Sequence, residues 1–136
     1  MRRFDQLTSG SAAAEFAIVL PAMLILALGI FHLCYAVYAS SSLHWAVEQS
    51  ARCAAMSQQN SGLSCTTIAN TTTYAEALYE GPKLSSLTFT PADDTADGCR
   101  QVQASGTYRI STGFVNVNVP ITAKACYPVA PAPAWS

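Results

Sequence analysis

Charge is what this chain has least of. Lysine and arginine together number 7, aspartate and glutamate 8, in a chain of 136 residues whose formal net charge is −1. A balance so near neutrality gives no electrostatic reason to expect nucleic acid as a partner. Histidine is nearly absent too: the 2 histidines are His32 and His44, so nothing downstream of residue 44 carries an imidazole. No C-x-x-C pair accompanies them, which disfavours zinc. No Ser/His/Asp or Cys/His set, pair of acids in a pocket or glycine-rich phosphate loop can be assigned, so no enzyme activity, cofactor or metal is expected.

The scarcity of charge is concentrated. Residues 16–39 contain no Asp, Glu, Lys or Arg. As a helix this stretch would span about 36 Å at roughly 1.5 Å per residue, enough to cross a hydrocarbon core of about 30 Å. Arg2 and Arg3 outweigh Asp5 in the short tail before it. The positive-inside rule therefore keeps that tail in the cytoplasm and sends the C-terminal domain outward, a single pass.

Just before the apolar run stands Gly10-Ser11-Ala12-Ala13-Ala14-Glu15-Phe16. Three readings compete. A secretory signal could be cut after Val37-Tyr38-Ala39, but the apolar run is longer than the usual 7–15 residues and opens with a carboxylate. An uncleaved anchor explains the length and leaves Gly10 and Glu15 as accidents. The third reading uses both: the start resembles that of a type IV prepilin. A peptidase on the cytoplasmic face would cut between Gly10 and Ser11. The new amine at Ser11 would then pair with Glu15 of its own or a neighbouring chain. An ionisable group at the membrane is costly unless paired, and opposite charges attract strongly in low dielectric.

Two stretches carry a closer resemblance. Gly10-Ser-Ala-Ala-Ala-Glu-Phe-Ala-Ile-Val-Leu-Pro21 is similar to the N-terminal signature of the TadE-like pseudopilins, and Ala46-Val-Glu-Gln-Ser-Ala-Arg-Cys-Ala-Ala55 resembles that family's Ala/Arg-rich segment after the membrane. The resemblance covers about residues 8–56. It implies a minor pilin of the tight-adherence (Flp-type) type IV pilus, supporting assembly and surface attachment. It also implies processing by a prepilin peptidase at Gly10/Ser11 and an assembly carboxylate at Glu15. Phe16, where major pilins of this branch typically carry Tyr, favours the minor class. The implied partners are the peptidase, other major and minor pilins and the assembly platform of the bacterial inner membrane. The chain would sit in that membrane before assembly and at the cell surface after it. A reading from another class is a membrane-anchored extracytoplasmic binding module that never polymerises.

The expected domains are a leader (1–10), an N-terminal helix (11–56, with its membrane part at about 16–39 and an amphipathic part at about 40–56) and a small extracytoplasmic domain (57–136) ending in an extended tail. Pro21 should kink or loosen the helix. Leu43, Ala46, Val47, Ser50, Ala51 and Ala54 follow the i, i+3, i+4 spacing of one helical face, with Glu48, Gln49 and Arg52 mostly on the other. Glu48 and Arg52 are spaced as an i, i+4 ion pair. Tyr35, Tyr38 and Trp45 suit an outer membrane interface.

The fold class expected is α+β: this helix, then a small disulfide-bonded domain with an antiparallel hairpin or sheet. Gln58–Ser64 reads as a loop. A short helix is expected near Asn70–Tyr79, with Tyr74, Ala75 and Leu78 facing inward and Gly81-Pro82 ending it. Leu87 and Phe89 suggest a brief strand stopped by Pro91. Val102, Ala104, Gly106, Tyr108 and Ile110 alternate with polar residues, as do Val115, Val117, Val119, Ile121 and Ala123. A hairpin turning at Thr112-Gly113 sets Ile110 opposite Val115, Tyr108 opposite Val117, Ala104 opposite Ile121 and Cys99 opposite Cys126. Facing residues lie about 4.5–5.5 Å apart, which suits a disulfide. Hence Cys99–Cys126 is expected and, by elimination among the exported cysteines, Cys53–Cys65. Cys34, inside the apolar run, is expected to be a buried free thiol. Pro120 must sit at an edge or bulge. Asp93–Gly98 resembles a calcium loop only loosely; it lacks the closing glutamate and reads as a solvated turn. Trp135 is expected to dock on the domain or on a partner.

Overall fold

The structure, a computed structural model, describes residues 5–57, 62–94, 98–111 and 116–129. Helix α1 spans Asp5–Met56, α2 Ile68–Leu78, and three strands follow: β1 Ser85–Asp94, β2 Cys99–Ser111 and β3 Asn116–Pro128. The architecture is α+β. Two compact units divide at Tyr35/Ala36, and the described residues of the first are all helical.

In the second unit, the far half of α1 closes a core. Ala39, Leu43, Ala46, Val47 and Ala51 are buried together with Ala75 of α2 and Phe89, Val102, Ala104, Tyr108, Ile121 and Ala123 of the sheet. Every residue of the anticipated stripe is buried, Ser50 and Ala54 included, while Glu48 and Arg52 face solvent. The mechanism is the 3.6-residue period, which puts the stripe on one face, with Leu43 and Val47 as its largest fully buried side chains. Ser50 is tolerated there because its hydroxyl donates to the Val47 carbonyl at 3.0 Å.

Helix α2 starts two residues earlier than expected. Thr67 caps it, its side chain accepting from the Asn70 N–H at 3.2 Å, the usual way to satisfy an orphan donor. It also stops before Gly81-Pro82, at Leu78 with Tyr79 as cap. Ala75 is buried, Leu78 packs on the main core, and Tyr74 packs on the separate cluster of Cys53, Ala54 and Cys65.

The sheet is an antiparallel meander in the order β1-β2-β3. Its expected hairpin register needs correction. Ile110 faces Val117, Tyr108 faces Val119 and Ala104 faces Ala123, so β3 is displaced by two residues along β2. The strands stop at Ser111 and resume at Asn116; Thr112, Gly113 and Val115 lie outside the described residues. A two-residue slip keeps every side chain on its face, so the alternation holds and the partners change. Cys99 now faces Pro128, and Cys126 faces Gln101. The Cys99–Cys126 disulfide forms on the diagonal, with Cα atoms 5.7 Å apart. Cys53 and Cys65 form the second bridge at a Cα separation of 5.8 Å.

Pro91 does not stop β1, which continues to Asp94 with Pro91 opposite Val102. β1 is an edge strand, where a missing N–H breaks no ladder bond if it points outward. β1 is irregular elsewhere: its register shifts between Ser85 and Thr88, where Ser86 adopts a φ of 56°. Past Asp94, Thr95–Asp97 of the loosely calcium-like segment lie outside the described residues, and the turn into β2 passes through Gly98 at φ 60°. That left-handed conformation is one glycine adopts without penalty. The tail from 130 onward, including Trp135, is also outside them.

Candidate assembly segment

The residues singled out for function sit on the first unit of α1. Helix α1 takes in residues on both sides of the expected cut, so the backbone of Gly10 and Ser11 is helical. Glu15 and Phe16 follow on the same helix and are both exposed, Phe16 at 65%. The apolar side chains beyond them are exposed as well, including Ile18, Met23, Ile25, Leu26 and Leu33. A helix apolar on all sides cannot be stable in water on its own and needs lipid or neighbouring helices around it. α1 is long and apolar enough to cross a membrane.

Pro21 lies inside this helix. Without an N–H it leaves the carbonyl four residues earlier, that of Ala17, without its helical donor. The Phe31 and Tyr35 rings, one turn apart, meet at 4.9 Å between centroids with a 48° tilt, an ordinary aromatic geometry. Cys34 is free, but it is exposed rather than buried. The expected burial depends on lipid or other chains, since nothing else in this unit can cover it.

In the second unit, Tyr38 is half exposed, and its hydroxyl donates to the Glu80 carbonyl at 3.1 Å. This ties α1 to the chain leaving α2. Trp45 stays 49% exposed. Arg52 lies over the Tyr127 ring of β3, 5.3 Å from its centroid. That cation–π contact could not be read from the sequence, because it needs the helix laid across the third strand. Beside it, Glu48, Arg52, Lys124 and Tyr127 line a shallow groove. Beside the Cys53–Cys65 bridge, the Ser57 hydroxyl is shared between the carbonyls of Ala54 at 2.8 Å and Cys65 at 2.9 Å, and buried Thr71 donates to the Thr67 carbonyl at 2.8 Å with the Cys65 carbonyl farther off at 3.3 Å. These fasten the chain leaving α1 to the start of α2. The signal for Thr71 was in the sequence only as one threonine in a run of three.

Among the described residues no group of three or more His, Cys, Asp or Glu side chains could hold a metal ion. What the chain does offer is a long helix whose apolar run is preceded directly by one carboxylate, Glu15. Residues 10–52 match the family of TadE-like proteins. That segment of the chain, and not the head as a whole, is what is similar to TadE-like proteins. The match opens at Gly10, runs through Glu15, Phe16 and the whole apolar stretch, and ends one residue before Cys53. Most of the head lies outside the TadE-like match. No curated protein and no solved structure matches the chain.

Proposed function

We propose that this protein is a minor pilin that supports assembly of a tight-adherence type IV pilus, with its head outside the cytoplasm. The observation that carries the reading is the start of the family match at Gly10, with Glu15 five residues on and a fully exposed apolar helix behind it. Prepilin peptidase cuts between Gly10 and Ser11. The amine released at Ser11 pairs with Glu15 of the same or an adjacent subunit. Other pilins, delivered by the assembly platform of the inner membrane, then replace lipid around the apolar helix. On this reading the head is the part presented at the surface, and its disulfides stabilise a core too small to stand on burial alone.

The test is the mature N-terminus of the membrane-extracted protein, read by mass spectrometry of its N-terminal peptide. The expected peptide begins at Ser11. A peptide beginning at Met1 would refute processing and leave an anchored module; one beginning at Ser40 would mark a secreted domain.

A further inference from the structure

We propose that both edges of the head's sheet are guarded against pairing with the sheet of a second copy. The direction in which each strand's backbone points follows from one hydrogen bond. The Val129 N–H donates to the Gly98 carbonyl at 3.1 Å, one step beyond the Cys99–Pro128 pair of the same register. In an antiparallel ladder, residues alternate between those whose N–H and C=O point at the partner and those whose groups point away. The β2–β3 register is unbroken. Odd-numbered β3 residues therefore bond to β2, and even-numbered ones point their backbone outward. Even-numbered β2 residues bond to β3, which leaves its odd-numbered ones for β1. Through the pairs Thr88–Ser105, Thr90–Gln103 and Ala92–Gln101, the outward positions of β1 are Phe89, Pro91 and Asp93.

All three prolines of the sheet fall on outward positions: Pro91 in β1, Pro120 and Pro128 in β3. A strand approaching either edge would meet missing donors and projecting rings. Edge prolines, bulges and lysines are the recognised ways of blunting a sheet edge. β1 adds the irregularity around Ser86. On β3 the longest stretch free of proline holds the outward donors of Thr122, Lys124 and Cys126, and Lys124 is at its centre. Two β3 strands paired about a twofold axis there would set the two lysines face to face, which destabilises the pair. Contacts between heads in any assembly therefore run through side chains and the helix rather than through a shared sheet.

Amide hydrogen exchange of the full chain in detergent micelles tests this across a range of concentrations. In the parent, the amides of Thr122, Lys124 and Cys126 should exchange freely at every concentration, while those of Ile121, Ala123 and Ala125 stay protected. In a Pro120→Thr/Lys124→Thr variant, the outward amides at 122, 124 and 126 should slow by about tenfold as concentration rises, through pairing that is reversed by dilution. Persistence of the inward amides shows that the variant still folds. Should they be lost, Lys124→Thr alone leaves the backbone untouched and should slow the same amides in the same direction. Concentration-independent exchange in the folded variants would overturn the proposal, and so would concentration-dependent protection already present in the parent.

Discussion

Leu43 is completely buried between α1 and the sheet and is among the largest fully buried side chains. Its neighbours on the helix, Ala39, Ala46 and Val47, are small and cannot expand into a hole. Leu43→Ala should therefore destabilise the head by about 3 kcal/mol, read as a lowered denaturant midpoint with unchanged slope. A change near zero would place Leu43 outside the core. Tyr79 makes a second, pH-dependent case. Its hydroxyl donates to the Pro82 carbonyl at 2.7 Å, and burial, helped by the Tyr38 phenol, raises its pKa above the ordinary 10.0. The folded head thus holds this proton more tightly than the unfolded chain does. Its contribution to stability is complete below pH 10.0 and is lost as pH rises through the higher folded value. Tyr79→Phe cannot lose that proton, so its alkaline denaturation should begin at higher pH. Coincident alkaline curves for the two proteins would refute the assignment. Tyr79 was not legible as a hydrogen-bonded side chain, because its acceptor, the Pro82 carbonyl, is placed by a turn that no periodicity encodes.

Helix faces and strand faces were legible for the same reason that strand partners were not. A period of 3.6 or 2 states which side chains share a surface, and Leu43 to Ala54 and Val102 to Ile110 obey it. Register asks for more. Valines stand at 117 and 119 and alanines at 123 and 125, so sliding β3 by two residues again sets apolar against apolar, and the pattern cannot choose. The choice falls to the connection between Ser111 and Asn116, which is longer than a two-residue turn. Pro91 was misjudged on similar grounds: whether a proline ends a strand depends on whether the strand is an edge, a property of the sheet rather than of the segment. The bridges act at this scale. Cys53–Cys65 spans 12 residues and Cys99–Cys126 spans 27. Chain entropy assigns them about 3 and about 3.5 kcal/mol. Paired Cys→Ser replacements should lower stability by those amounts, with the longer loop costing more, as measured by urea unfolding in micelles. Before any reduction, a maleimide should label the native chain once, at Cys34. Labelling of two or more cysteines in the folded protein would contradict the pairing.

At the scale of the whole molecule, the TadE-like segment and the head make different demands. The head buries its own core and needs nothing outside itself. The helix before it exposes Phe16, Ile18, Ile25 and Leu33 along with Glu15, so its surroundings must come from lipid or from other subunits. In lipid alone Glu15 is a liability; in an assembly that brings a free amine beside it, it is an asset. Two unit charges about 4 Å apart attract by about 4 kcal/mol at an effective dielectric constant of about 20, equivalent to about a thousandfold in an association constant. Glu15→Ala should therefore abolish most of the protein's incorporation into pili while leaving its N-terminal peptide starting at Ser11. Glu15→Gln separates charge from shape: it keeps the size and the hydrogen-bonding oxygen, and on the pairing argument it should fail nearly as badly as alanine. Both outcomes are read by immunoblot of sheared pili against the membrane fraction. If glutamine assembles as well as the parent, the carboxylate acts by hydrogen bonding and not by charge. If alanine does too, Glu15 has no part in assembly, and the chain is better described as an anchored module that stays in the membrane.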